Sequence, residues 1–211
     1  CRQCGLEEGR GLLAEDIAFK LAPRINASGR LGCPEKGVEL LLAENTLQAE
    51  QTALALDRLN SRRKELESVA MPEIDVLCAA QSRDGARGLV AYKHDCHPGI
   101  VGIMASRIAE RYNCPALVFA SDLDEKHQGL IKGSGRSIKG IDLFQVLARC
   151  SPVIEQFGGH AMAVGVTLKK DNLTEFSRMF NAQLLQFDSA FENNAQVAVD
   201  YAMTSNTELS R

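Results

Sequence analysis

Tryptophan is absent from this 211-residue chain and tyrosine occurs only three times, so few aromatic platforms exist on which bases could stack. Positive charge is not in excess either. The 24 Lys and Arg stand against 27 Asp and Glu, a net charge of −3, which excludes gripping a duplex through a bulk positive field. Any polyanion must be held by local geometry, through a few placed arginines and backbone amides. No apolar run approaches the roughly 20 residues that cross a bilayer, and Cys1 to Arg10 lacks the apolar core of a signal peptide. No membrane partner is therefore expected. The seven cysteines, at positions 1, 4, 33, 78, 96, 114 and 150, are odd in number and scattered, which is no disulfide framework. Several lie in apolar stretches such as IDVLCAA, where a reduced thiol behaves as a small hydrophobe, and a cytoplasmic location is the expectation. The chain begins with Cys rather than Met, which suggests a piece of a longer protein.

What is present is an ordinary globular composition, 45% hydrophobic and 24% charged. Helical spacing at Leu13, Ile17 and Leu21 predicts a helix ending at Pro23, and APRINASGRLG (Ala22 to Gly32) reads as a polar loop. Pro34 opens a long helix, with Val38, Leu41, Leu42, Ala49, Ala53, Leu56 and Leu59 on one face and Arg58, Arg62, Arg63 and Lys64 toward solvent. Met71-Pro72 is expected to stop it. Ile74 to Ala80 then reads as a strand, Ser82 to Gly88 as a hairpin turn and Leu89 to Tyr92 as the return strand. Helices are expected at Pro98 to Tyr112, Asp142 to Cys150 (capped by Asp142) and Leu173 to Phe187. Strands are expected at Pro115 to Ala120, Gly129 to Arg136, Ala163 to Leu168 and Ala195 to Ala202. This irregular alternation predicts an α/β fold of the mixed α+β kind: a mixed β-sheet flanked by helices and preceded by a long connecting helix.

Four segments carry chemistry. In GSGRS, Gly133 and Gly135 would let the backbone approach a ligand, Ser134 and Ser137 offer hydroxyls, and Arg136 offers a planar fork for phosphate oxygens. The same string also fits a glycine turn with a surface arginine. In FGGHA, Gly158 and Gly159 place His160 at the lip of a tight turn, suited to a phosphate oxygen or to a core hydrogen bond. In HPGIVGIMASR, Pro98 starts a helix whose N-terminal amides, left uncovered by Gly99 and Gly102 beside His97, suit an anion; ordinary proline initiation with glycines easing helix packing fits equally. In APRINASGR, the crowding of Arg24, Asn26, Ser28 and Arg30 favours a polar site or a domain contact. Two further strings are decoys. Lys93-His94-Asp95-Cys96-His97 has its potential ligands consecutive rather than at metal-site spacing, and Asp122-Leu123-Asp124 fits a solvated turn.

Taken in order, APRINASGRL, the long charged helix, HPGIVGIMASRIAE, KGSGRSIKGIDL and FGGHAMAVGV resemble the RecJ family of single-strand-specific exonucleases over nearly the whole chain. One departure is Cys96, which stands where an aromatic residue often precedes His-Pro-Gly. The resemblance implies a two-domain nuclease core in which a DHH domain binds Mn or Mg and a DHH-associated domain grips the DNA. No DHH triplet occurs here, so neither metal nor cofactor is expected on this chain. Residues 1–33 would be the tail of the DHH domain, 34–70 the connecting helix, 71–190 the DHH-associated domain and 191–211 the opening of an OB-fold domain. By the same resemblance, Ser134, Arg136 and Ser137 would hold a DNA phosphate. His160 would lie near the scissile phosphate, framed by Gly158 and Gly159. Arg24, Asn26 and Arg30 would contact the strand or brace the cleft, and His97 would support the pocket. The implied activity is 5′-to-3′ degradation of single-stranded DNA by two-metal hydrolysis in repair and recombination, with single-strand-binding or helicase proteins as partners. A phosphodiesterase acting on short RNA or cyclic dinucleotides is the alternative, and a pure binding module is a third class.

Overall fold

The computed structural model describes residues 4–6, 11–122, 129–187 and 191. The predicted strand at Ala195 to Ala202, the stretch 192–211 and Asp124 lie outside the described residues.

Helices come first. Helix α1 (Ala14–Asp16) runs through a π-helical stretch (Ile17–Leu21) into α2 (Ala22–Arg30). The APRINASGR segment is therefore helical, a correction to the expected loop. Pro23 does not end the helix because it sits in the first turn of α2, where its missing N–H costs no hydrogen bond. Inside α2, Ser28 is buried and its hydroxyl donates to the Ile25 carbonyl (2.7 Å), so a residue that reads as loop-forming is satisfied within the helix.

The expected helix from Pro34 is two helices, α3 (Glu35–Leu41) and α4 (Thr46–Arg83). Asn45 is extended, and its side chain accepts from the Gln48 N–H (2.9 Å), capping a fresh start. Pro72 does not stop α4. Its ring lies on the exposed side, so the Ser68 carbonyl that loses its partner can turn to water. The expected strand at Ile74 to Ala80 is therefore the last third of this helix, and the expected hairpin at Ser82 to Gly88 is its C-terminal exit, with Gly85 at φ 82°. Ala70, Ile74 and Cys78, four residues apart, form its buried stripe.

A five-stranded mixed sheet follows, in the order β1-β2-β3-β5-β4. The strands are β1 (Leu89–Lys93), β2 (Ala116–Ser121), β3 (Leu130–Arg136), β4 (Gln156–His160) and β5 (Ala163–Lys169). Only β1 and β2 are parallel, joined by a short 3₁₀ turn (Pro98–Ile100) and helix α5 (Val101–Tyr112); the other neighbours are antiparallel. Helix α6 (Leu143–Ala148), capped by Asp142 as expected, and helix α7 (Leu173–Leu184) complete the fold.

One face of the sheet is covered throughout. Leu117, Phe119, Ile131, Val164, Val166 and Leu168 pack there with Leu143 and Leu147 of α6 and Phe176 and Phe180 of α7, and the Phe119 and Phe176 rings meet edge to face at 5.8 Å. The other face is covered only in part. Ile74 and Cys78 of α4 and Met104, Ala105 and Ile108 of α5 bury Leu89, Ala91, Ala116, Val118 and Ala120, which belong to β1 and β2. Among the described residues no helix lies over this face beyond β3, and Gln156, Gly158, His160 and Gly165 are exposed. No helix among the described residues is long and apolar enough to cross a membrane.

Candidate nucleic-acid interface

The open half of the sheet and the start of α5 bring together residues that lie far apart in sequence. Strand pairing aligns Arg136 with Ala163 and Ala163 with His160, so their side chains share one face. His160 is two strands from Arg136, roughly 10 Å at ordinary strand spacing. The next row on the same face is Ser134, Gly165 and Gly158, and the one after it Lys132, Thr167 and Gln156.

Two glycines let α5 and α2 close on this face. A Cβ built on Gly102 would lie 3.0 Å from Arg136 Nη2 and 3.2 Å from Ser134 Oγ, so the first turn of α5 rests on those two side chains. A Cβ on Gly99 would lie 1.9 Å from the Arg30 carbonyl oxygen, which means that the end of α2 sits against the glycine backbone. The Arg30 guanidinium in turn donates from Nη1 to the Gly99 carbonyl (3.3 Å). Of the two readings open for these glycines, close packing is the one the structure carries.

Arg136 Nη1 donates to Ser134 Oγ and to the Gly135 carbonyl, both at 2.8 Å, which folds the guanidinium back over the Ser134 row. No carboxylate among the described residues pairs with Arg136 or Arg30. Burial, and secondarily the like charge of Arg30, hold the Arg136 guanidinium below the usual arginine range. An arginine stays protonated even so. Two half-buried cations side by side without a counter-charge form a site that an anion would relieve.

The remaining expected residues divide. His97 caps the 3₁₀ turn, its Nδ1 accepting from the Gly99 N–H (3.0 Å). His160 Nδ1 accepts from the Met162 N–H (3.3 Å), and Gly159, at φ 138°, shapes the tight turn beside it. In both rings an accepting Nδ1 leaves the proton of the neutral form on Nε2. Asn26 is exposed on the same side of α2 as Arg30, four residues away. Arg24 points elsewhere, donating from Nε to Asp57 (2.8 Å) and from Nη1 to the Lys20 carbonyl (2.7 Å), and braces α2 on α4. The buried Ser137 donates its hydroxyl to the Ile141 carbonyl (2.8 Å), which commits that proton to a turn instead of a ligand. Gly133 and Gly135 face away from the open surface, toward Phe119 and toward Val164, Leu143 and Leu117, so their expected role as ligand-approach glycines is corrected to core packing. Sequence reasoning missed Lys132, Gln156 and Thr167, which join the face only through strand register.

The side chains of the two acidic and histidine-bearing strings have other partners. His94 Nδ1 lies 2.7 Å from Ser121 Oγ, Lys93 binds Glu73 (2.6 Å), and the buried Cys96 turns its Sγ to the His97 carbonyl. Asp122 holds Lys132 at 3.0 Å. Among the described residues no group of three or more His, Cys, Asp or Glu is placed to hold a metal ion.

Comparison with known proteins gives this geometry its family. Residues 85–186 match the DHHA1 domain. The single-stranded-DNA-specific exonuclease RecJ of Dickeya dadantii is 45% identical over 176 residues, covering 80% of this chain and 30% of that protein. The Escherichia coli protein of the same name is 42% identical over 180 residues, covering 82% and 30%. A crystal structure of RecJ from Thermus thermophilus with Mg2+ superposes with a TM-score of 0.75 at 32% identity, over 86% of this chain and 27% of that one. A second crystal structure, of exonuclease RecJ bound to manganese, gives a TM-score of 0.73 at 32% identity, over 90% and 45%. The chain thus spans about 30% of the length of these two curated relatives. A DHHA1 domain, ordered motifs that run on into the preceding helices, and a matching fold make this chain similar to the RecJ exonucleases over about 80% of its own length.

Proposed function

We propose that the full-length protein degrades single-stranded DNA from its 5′ end by metal-dependent phosphodiester hydrolysis, in repair and recombination, and that this chain supplies the surface that grips the phosphates. The relatives are single-stranded-DNA-specific exonucleases by name, and two of the matching structures hold Mg2+ and manganese. Any such ion would be held by residues outside this chain and would activate water and stabilise the leaving oxygen. The task of the residues here is positioning: Arg136 and Arg30 hold a phosphate between them, Ser134 Oγ orients the Arg136 fork, and His160 offers Nε2–H to a phosphate two strands away.

The observation that carries this reading is the half-buried pair Arg136 and Arg30, packed on Gly99 and Gly102 with no carboxylate partner among the described residues. Changing Arg136 to Ala in the full-length protein should weaken single-strand binding at fixed salt by about ten-fold, or about 1.4 kcal/mol. It should also flatten the dependence of log affinity on log salt by about 0.7. Unchanged affinity and unchanged preference for a 5′ phosphate would instead assign Arg136 to a contact between domains.

A further inference from the structure

The sheet has two edges, and β1 forms the one beside β2. In a parallel ladder the N–H and C=O of one residue point the same way, and alternate residues point to opposite sides. The Leu89 N–H donates to the Pro115 carbonyl (2.9 Å) on the β2 side, so Gly88 and Val90 turn their backbone groups outward. Such a row on the stretch GLVAYK, which has no proline and a single charge, is a template for another strand. Both residues are nevertheless occupied. Gln81, near the end of α4, donates from Nε2 to the Val90 carbonyl (2.7 Å) and accepts at Oε1 from the Val90 N–H (3.0 Å). Asn181 of α7 does the same at Gly88, donating from Nδ2 to its carbonyl and accepting at Oδ1 from its N–H, both at 2.9 Å.

Each amide reproduces the two-bond exchange by which facing residues of antiparallel strands pair. Only Asn and Gln side chains carry a C=O acceptor and an NH2 donor in one planar group, so the match depends on those residue types. The two amides come from opposite faces of the sheet, since Phe180 of α7 packs with Phe119 whereas Ile74 and Cys78 of α4 pack with Leu89. Asn181 is held in place, because its Nδ2 also donates to the Ser177 carbonyl (3.1 Å). Gly88 makes its approach possible. A Cβ there would lie 2.4 Å from Phe180 Cε1 and from Leu184 Cδ1, so a larger residue would push α7 and Asn181 off the edge. The opposite edge, β4, is instead broken at Gly159, whose φ is 138°.

We propose that Gln81 and Asn181 seal this edge against a second copy of the chain, keeping β1 from pairing antiparallel with another β1 about a two-fold axis. A second copy is the partner kept away because every copy carries the same outward row, and a two-fold axis matches that row with itself. The seal works by competition. The amides are held beside Val90 and Gly88 by packed helices, at a high effective concentration, whereas another strand must arrive from solution. Losing one amide opens one residue of the row, and losing both opens two at the alternate spacing of a strand ladder.

The test compares Gln81→Ala, Asn181→Ala and the double variant with wild type, all in the full-length protein, by sedimentation velocity, with circular dichroism to show that each is folded. Relative to wild type, the mass of the double variant should rise about two-fold or more between about 1 and about 100 μM, with the single variants in between. If the double variant fails to fold, the single ones carry the test. Gln81→Lys loses the same two hydrogen bonds as Gln81→Ala but leaves a charge on the edge, so it should sediment as wild type does. Amide exchange locates the contact: Val90 should exchange about ten-fold faster in dilute Gln81→Ala than in wild type, and slow again as copies associate. Equal association of Gln81→Ala and Gln81→Lys would trace it to lost stability, and association without slowing at Val90 would place the contact elsewhere. No association in any variant would mean that another part of the protein covers this edge. Each of these three results overturns the proposal.

Discussion

At Gly133 an added methyl group would meet the Phe119 ring at 2.4 Å, whereas at Gly158 it would meet nothing within 4 Å. Substitution by Ala should therefore separate two uses of one residue type. Gly133→Ala pushes a fully buried aromatic ring and should cost about 1–3 kcal/mol in urea unfolding. Gly158→Ala should stay within about 0.5 kcal/mol. Equal effects would show that the two faces of the sheet are wrongly assigned. The buried cysteines give a second prediction. Burial pushes the thiols of Cys78 and Cys114 up to about 12 and those of Cys96 and Cys150 up to about 11, because a thiolate there would lose its hydration. Of the described cysteines, a thiol reagent at pH 8 should modify the half-buried Cys4 and Cys33 and reach the other four only on unfolding. The sign for stability follows from the raised folded values. The unfolded thiols ionise near 9, so stability is full below that pH and falls as pH climbs toward 12. A lower urea midpoint at pH 10.5 than at pH 8, with the difference reduced in Cys78→Ala, is the expected outcome.

Among the elements, α4 departs furthest from what local sequence suggests. Pro72 lies on the solvent side of a helix that runs through it, so Pro72→Ala should restore a backbone hydrogen bond without disturbing the core. The expected gain is about 1–3 kcal/mol in urea unfolding. A loss would mean that the proline sets a bend on which the packing of Ile74 and Cys78 depends. This helix also shows what sequence could and could not tell. Asp142 capping α6, the apolar stripe Val101, Met104, Ala105 and Ile108 of α5, and the strand Ala116–Ser121 were legible because each is fixed by local pattern. Ile74 to Ala80 misled because a short apolar run fits a strand or a buried helix equally, and only the four-residue spacing of Ala70, Ile74 and Cys78 distinguishes them. Arg63 was expected in solvent, yet its side chain is 13% exposed and bound to Glu67, a contact decided by the approach of α5. The site divides in the same way. Arg136, Ser134 and His160 were marked by their glycine-rich strings, whereas Lys132, Thr167 and Gln156 belong to it only through pairing across three strands, which no single segment encodes.

In the whole molecule, the long helix is joined to the sheet half by carboxylates. Glu67 is 2% exposed, accepts from Arg63 (2.6 Å) on its own helix and is ion-paired with Arg107 (2.8 Å) on α5; Asp75 binds Arg111 (2.6 Å), and Glu73 binds Lys93 (2.6 Å). Removing the acid should leave the Arg63 guanidinium buried without its partner. Glu67→Ala is expected to cost about 3 kcal/mol in urea unfolding, most of it from Arg63, since Arg107 is half exposed and water can replace its partner. A cost below about 1 kcal/mol would place the fixing of α4 in its apolar stripe alone. These contacts also close a figure. Helices α2 and α4 meet at Arg24–Asp57, α4 and α5 at Glu67–Arg107, and α2 meets the 3₁₀ turn that leads into α5 at Arg30–Gly99, so the three helices form a triangulated frame closed through that turn. A triangle keeps its shape while its three joints hold, and becomes a movable linkage when one opens. The distance between the two guanidiniums of the phosphate grip is thus set partly at Asp57 and Glu67, on a helix to which neither guanidinium is hydrogen-bonded.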